Sequence, residues 1–261
     1  MLSIVDKFLG SLLGAYIGGN SSFLKAGDLW DRDPINWAWQ PSSQLPPAPL
    51  YSSDAELFEA LPWLLWHHDN FSLRHRWLLQ QLPTNVTATH DTRVARLEGL
   101  YLLGDCLEWF MQATPHIPMS AQSLRGHLYQ RSATYPVHMR SSAAKFLSQL
   151  GDCRCLPNRT ELLFEAGTIA ELLVAIQQCI YYQESLMLAL EVSSVKKTSI
   201  SSILGCLLGA WAGTGVIPLH WIVATPSEVM DSVVYLAEKS YQAWAGIADN
   251  AEGLDVFPLD L

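Results

Sequence analysis

The chain has few basic residues and no basic run. Its 261 residues include 16 lysines and arginines against 25 aspartates and glutamates, so its formal net charge is -9. Because phosphate surfaces attract basic patches, this balance argues against nonspecific binding to nucleic acid or to an anionic membrane. We therefore expect no nucleic-acid partner.

Cysteine is scarce and scattered. The five cysteines are odd in number and lack the spacing of a small disulfide scaffold, so we interpret them as reduced thiols of a cytoplasmic protein. Cys153 and Cys155 could bind a soft metal, but no further ligands cluster with them, and turn positions are the better interpretation. No secretory signal is predicted, because Asp6 and Lys7 cancel in charge before the first apolar stretch.

Strand patterns and familiar catalytic motifs are missing as well. No run of five residues alternates cleanly with β-branched enrichment, and there is no G-x-S-x-G elbow, H-E-x-x-H, P-loop or dinucleotide fingerprint. The densest group of ligand-type side chains is His67, His68, Asp69 and His75, of which only His68 and His75 would share a helix face. We interpret this group as a solvated helix end.

Helix signals, in contrast, are strong. Capping boxes precede apolar helical stripes at three places, each pairing a Ser or Thr with a Glu three residues later: Ser53 with Glu56, Thr168 with Glu171, and Thr225 with Glu228. With 49% hydrophobic residues the chain can fill a full domain core. The sequence predicts one compact all-α domain over residues 1–261.

Two segments depart from the helical pattern. Residues 28–50 form a predicted loop that contains Trp30, Trp37 and Trp39 among aspartates and then a proline-rich stretch. We interpret the tryptophans as loop packing, with a stacking surface for a ring-containing ligand as the alternative. Residues 246–261 form an acidic tail, either an arm packed on the body or a partner-binding peptide.

Two similar decapeptides occur, one near each end of the chain. Leu9–Gly18 reads LGSLLGAYIG and Leu204–Gly213 reads LGCLLGAWAG, and each has glycines at every fourth residue. This spacing puts the glycines in one stripe along a helix, where another backbone can approach closely. Glycine costs about 1 kcal/mol relative to alanine inside a helix, so a compensating contact is required. We predict that the two helices cross in the core.

The second copy also raises the possibility of a membrane helix. Ile203–Ala224 has about the length of a span and no formal charge when His220 is neutral. Against a span stand Pro218, His220 and the break at residues 213–215, which should end a helix of about residues 200–212. We predict no span, and a membrane-associated helical protein is retained as an alternative.

The two copies and their flanks resemble the ADP-ribosylglycohydrolase family, which includes the enzyme that reactivates nitrogenase reductase. The glycines of Leu9–Gly18 match the family's first helix, G-x-x-x-G-x-x-x-G-D-A. Residues 203–210 match its later helix A-A-I-A-G-A-L-L-G-A, and residues 217–221 match the I-P-x-x-W that follows. The resemblance covers both ends of the chain and implies a fold of ADP-ribosylglycohydrolase type.

The family's magnesium-binding positions are largely changed here. Gly19 stands where members have Asp, residues 52–56 (SSDAE) stand for T-D-D-T followed by Glu, and residues 196–199 (KKTS) stand for D-T-D-T. In the family these side chains hold two magnesium ions that orient ADP-ribose and activate a water. The resemblance implies a vestigial cleft made of Gly19, Ser52, Ser53, Asp54, Lys196, Thr198 and Ser199, with Glu56 beside it.

The altered positions are unsuited to a pair of magnesium ions. Hard divalent cations need several anionic oxygen ligands, and Asp54 alone cannot supply them. Two unit charges about 4 Å apart interact by roughly 4 kcal/mol at an effective dielectric near 20, so Lys196 and Lys197 would repel a metal strongly. We expect no metal or other cofactor, and an ion pair of one lysine with Asp54. Asp54 and Glu56 also suit a plain helix N-terminus.

These departures predict a catalytically inactive relative that serves as a binding or regulatory scaffold. Its ligand would be a protein partner or a nucleotide-like molecule such as ADP-ribose. The alternative is an active hydrolase of ADP-ribosyl groups with an altered metal site, in which Asp54, Glu56 and the acidic residues of 28–33 supply oxygens.

Overall fold

The glycine-striped segments form two helices that cross in backbone contact, as the sequence predicts. A Cβ atom added at Gly14 would overlap the carbonyl oxygen of Gly205, and one at Gly205 would overlap that of Gly14. Gly10 meets the backbone of Gly213 in the same way. Only glycine lets two helices approach this closely, which explains why both copies of the decapeptide retain the stripe.

This computed structural model describes residues 2–19, 61, 63–80, 90–115, 117–135, 137–151, 168–192 and 198–246. These residues are 83% helical and include no strand, which confirms the all-α class for the described part. The helices with assigned bounds are α1 Ile4–Gly19, α2 Phe71–Gln80, α3 His90–Gln112, α4 Ala121–Ser132, α5 Arg140–Gly151, α6 Thr168–Tyr181, α7 Leu186–Val192, α8 Thr198–Ala212, α9 Leu219–Ala224 and α10 Ser227–Trp244. Residues 61 and 63–66 are helical as well.

The crossing of α1 and α8 is the centre of the core. α1 packs against α8 on one side and against α10 on another, while α6 packs against both α8 and α3. The hairpin of α4 and α5 packs on α3, and α2 contacts α3 as well. The helix starts at Thr168 and Ser227 agree with two of the predicted caps, and the third, at Ser53, lies outside the described residues.

α8 ends where the sequence predicts a break. The helix stops at Ala212, Gly213 adopts a left-handed conformation with φ of 66°, and a 3₁₀ turn over Gly213–Val216 follows. The Thr214 hydroxyl donates a hydrogen bond of 2.7 Å to Oδ1 of Asp6, which joins this turn to the start of α1. Of the helices in the described ranges, none is long and apolar enough to cross a membrane.

Three cysteines lie in the core. Cys106, Cys179 and Cys206 are free and buried, and burial raises the pKa of each thiol. The Cys206 sulfur lies 3.0 Å from the Ser11 hydroxyl, within the contact between α1 and α8. Inert thiols of this kind fit the prediction of reduced cysteines. The pair at 153 and 155, the loop 28–50 and the tail beyond Gly246 lie outside the described residues.

Lys7 is a buried lysine that closes the C-terminus of α3. Its ammonium donates hydrogen bonds to the carbonyl oxygens of Met111 at 2.7 Å, Ala113 at 2.6 Å and Phe110 at 3.4 Å. A helix leaves its last carbonyls without partners, and a cation is favourable at that end. Burial nevertheless lowers the pKa of Lys7 to about 8.

Replacing Lys7 with methionine should therefore destabilise the protein. Methionine retains the apolar stem, but the carbonyls at the end of α3 lose a charged donor, which costs about 1.5–3 kcal/mol of unfolding free energy. Urea denaturation followed by circular dichroism measures this loss. K145M, at an exposed position of α5, is the matched control and should change the free energy by less than about 0.5 kcal/mol. Equal losses in the two variants would show that the Lys7 contacts contribute nothing.

Candidate functional site

Part of the cleft implied by the family resemblance lies within the described residues. Gly19 is the last residue of α1 and is half-buried, and Thr198 and Ser199 are the first two residues of α8. The other candidates, Ser52, Ser53, Asp54, Glu56 and Lys196, lie outside the described residues. The ion pair of Asp54 with a lysine accordingly stays a prediction.

The described parts of this cleft converge at one end of the central crossing. α1 and α8 run in opposite directions, and a Cβ at Gly18 would overlap the carbonyl oxygen of Ser201. Gly19 follows directly, and Thr198 and Ser199 open the first turn of α8. The C-terminus of α1 and the N-terminus of α8 are thus neighbours, because the glycine stripes fix the register of the crossing.

The described residues at this end of the crossing include no carboxylate that could bind a divalent cation. Neither Gly19 nor the first turn of α8 contributes a carboxylate. Across the described ranges there is no group of three or more histidine, cysteine, aspartate or glutamate side chains that could hold a metal ion. Paired magnesium ions need bridging carboxylates, so these residues do not fit such a site.

A second polar cluster, which the sequence does not predict, lies inside the molecule between α2, α3 and α4. Asp105 and Glu108 are three residues apart and share one face of α3. Arg74 of α2 pairs with Asp105, and Arg131 of α4 pairs with Glu108. The side chains of Arg74 and Asp105 are fully buried. We call these four residues the buried ion network.

Local features hold Arg74 in place. Gly104 leaves room for it, because a Cβ at that position would lie 2.6 Å from the Cδ atom of Arg74. One terminal nitrogen of Arg74 donates to the carbonyl oxygens of His67 at 3.0 Å and His68 at 2.6 Å. The other donates to Asp105 and lies 3.6 Å from Oε2 of Glu108. The guanidinium thus joins the turn before α2 to α3.

The buried ion network is balanced in charge, and Arg74 and Asp105 at its centre are closed to solvent, whereas the Arg131 side chain is 30% exposed. Burial raises the pKa of Asp105, whereas Arg74 and a hydrogen bond donated by the Tyr135 hydroxyl act in the opposite direction. Both oxygens of Asp105 are engaged, and two guanidiniums face two carboxylates. Asp105 is fully buried and a substrate cannot reach it. We therefore interpret the network as a structural link between α2, α3 and α4 rather than a reaction centre.

The solvated helix end that the sequence predicts is contradicted at His68, whereas His67 and His75 are half-buried and Asp69 is exposed. His68 is buried, with its ring 5.6 Å from those of Phe8 and Trp244, and its Nδ1 lies 2.8 Å from the Leu65 carbonyl oxygen. Burial lowers the pKa of His67 to about 4 and also lowers that of His68. The prediction was wrong for His68 because Phe8 and Trp244 approach it from distant parts of the chain. Of the group, only Asp69 is exposed.

The comparisons with known proteins give no further guide. No family model matches this chain, and neither a curated protein nor a solved structure is detectably similar to it.

Proposed function

We propose that this protein is a noncatalytic scaffold of ADP-ribosylglycohydrolase type, which binds a protein partner or a nucleotide-like ligand. The observation that carries the proposal is the backbone contact of α1 with α8. It places Gly19 beside the first turn of α8, as expected if the two matching segments bracket one vestigial cleft.

The replacements at this cleft account for the loss of catalysis. Members of the family have carboxylates at the positions of Gly19, Lys196 and Thr198. Here those positions provide a hydrogen, an ammonium and a hydroxyl. A magnesium ion would meet repulsion from Lys196 and would lack the anionic oxygens that it requires.

Restoring the family's carboxylates should restore magnesium binding, which can be measured directly. In the triple variant G19D/K196D/T198D, three carboxylates would join Asp54 at the cleft, and an aspartate in the first turn of α8 is favoured by the helix dipole. We expect titration calorimetry to show magnesium binding by the triple variant and none by the natural protein. A saturating cation should also raise the unfolding free energy, by about 2.7 kcal/mol at a hundredfold excess over Kd.

The matched control is G19N/K196N/T198N, which has side chains of similar size without the charge and should bind no magnesium. A triple aspartate variant that folds but fails to bind the ion would contradict the assignment of fold type. Magnesium binding by the natural protein would contradict the loss of the metal site. The two parts of the proposal are thereby tested separately.

A further inference from the structure

The hairpin of α4 and α5 is a positive region of a negative chain. Between Glu108 and Asp152 the sequence has no aspartate or glutamate, although it includes Arg125, Arg131, Arg140 and Lys145. Glu108 neutralises Arg131 within the buried ion network. Arg125 and Arg140 are exposed and have no ion-pair partner among the described residues.

These two arginines line a groove between the helices. The groove has a volume of about 520 Å³ and is lined by Arg125, Tyr129 and Ser132 from α4 and by Arg140, Leu147 and Ser148 from α5. Pockets for small organic ligands have volumes of about 300–1,000 Å³ and combine apolar walls with a few polar groups. The groove falls within this range of volume, but it is open to solvent, so a ligand there would be held chiefly by the polar and aromatic side chains on its walls.

The guanidinium of Arg140 is held in place, and no carboxylate among the described residues neutralises it. Its Nε donates a hydrogen bond of 3.2 Å to the Tyr135 carbonyl oxygen, and within the described ranges its two terminal nitrogens form no hydrogen bond. Arg140 is also the first residue of α5, and the first turn of that helix has no acidic side chain. Because the helix dipole is positive there, an anion bound at Arg140 would interact favourably with both charges.

Tyr129 gives the groove an aromatic surface. Its side chain is 71% exposed, and it lies four residues after Arg125, on the same face of α4. Exposed tyrosine rings stack on planar bases, and arginine binds phosphate through paired hydrogen bonds. We propose that the groove binds a nucleoside phosphate, with the phosphate between Arg125 and Arg140 and the base on Tyr129.

Binding of AMP in magnesium-free buffer tests this site independently of the proposed function. Titration calorimetry should give saturable binding of AMP, with adenosine and inorganic phosphate each at least about tenfold weaker because each lacks half of the contacts. R125Q and R140Q should each weaken AMP binding about tenfold or more, and Y129A should weaken AMP while leaving inorganic phosphate unchanged. R76Q, at an exposed arginine of α2, is the control and should bind AMP like the natural protein.

Arg125 forms no hydrogen bond or ion pair within the described part of the chain, so R125Q tests the site without disturbing the fold. No saturable binding of AMP, equal affinity for adenosine, or unchanged affinity in R125Q would each overturn the proposal. Because these measurements contain no magnesium and leave Gly19 and Thr198 intact, their failure would not affect the cleft. Conversely, if the G19D/K196D/T198D variant failed to bind magnesium, the proposal that the groove binds a nucleoside phosphate would be unaffected.

Discussion

Replacing Arg74 with methionine is expected to lower the unfolding free energy by about 3–5 kcal/mol. The substitution removes the cation that neutralises Asp105 and leaves that carboxylate fully buried beside Glu108. It also removes a donor to the carbonyl oxygens of His67 and His68. Removing one partner of a buried ion pair lowers the unfolding free energy by more than the intact pair contributes, because the remaining charge is buried without a partner or water. Urea denaturation at neutral pH measures the loss.

Arg76 provides a matched control for this change. It lies two residues along the same helix but is exposed, so R76M should change the unfolding free energy by no more than about 0.5 kcal/mol. In R74M/D105N the uncompensated charge is removed as well, and part of the loss should be recovered. A loss in R74M no larger than in R76M would show that the buried ion network does not join α2 to α3.

Substituting alanine for glycine should have opposite effects at two positions. Gly205→Ala should destabilise the protein by about 3 kcal/mol, at the upper end for overpacking, because its Cβ would overlap the Gly14 carbonyl oxygen. Gly126→Ala should stabilise the protein by about 0.5–1 kcal/mol. Gly126 lies within α4 with nothing within 4 Å of an added Cβ, so alanine there only restricts the unfolded chain.

Thermal or urea unfolding of the two single variants measures both changes. Both have the same chemistry, one added methyl group in a helix, so their difference isolates the backbone contact of α1 with α8. If Gly205→Ala were as stable as the natural protein, the two helices would not approach as closely as the structure shows. If Gly126→Ala were destabilising, the exposed position assigned to that face of α4 would be wrong.

The parts of the fold that the sequence predicts are those governed by local pattern. The glycine stripes predict a crossing, and residues 213–215 predict the end of α8, because glycine spacing and helix-breaking residues act within a few positions. The convergence of Gly19 with Thr198 and Ser199 follows from the same stripes, since they set which ends of the helices meet.

The buried polar residues could not be predicted in this way. Arg74 lies in a helix whose sequence is rich in polar residues. Nothing near it in the sequence indicates that Asp105 of α3 neutralises its charge. His68 looks solvated until Phe8 and Trp244 surround it. Such contacts depend on how helices pack, which periodicity does not specify. The carboxylate-free stretch between Glu108 and Asp152, however, can be recognised in the sequence and marks the groove of α4 and α5.

Thermal unfolding of the natural protein with ADP-ribose, in the presence and absence of magnesium, tests most directly whether the protein is a scaffold without metal-dependent catalysis. An arginine peptide that has been ADP-ribosylated is incubated in parallel. We predict that magnesium does not change Tm at any ADP-ribose concentration, because Gly19, Lys196 and Thr198 provide no carboxylate for it. We also predict no release of ADP-ribose from the peptide. A magnesium-dependent rise in Tm accompanied by such release would contradict the account.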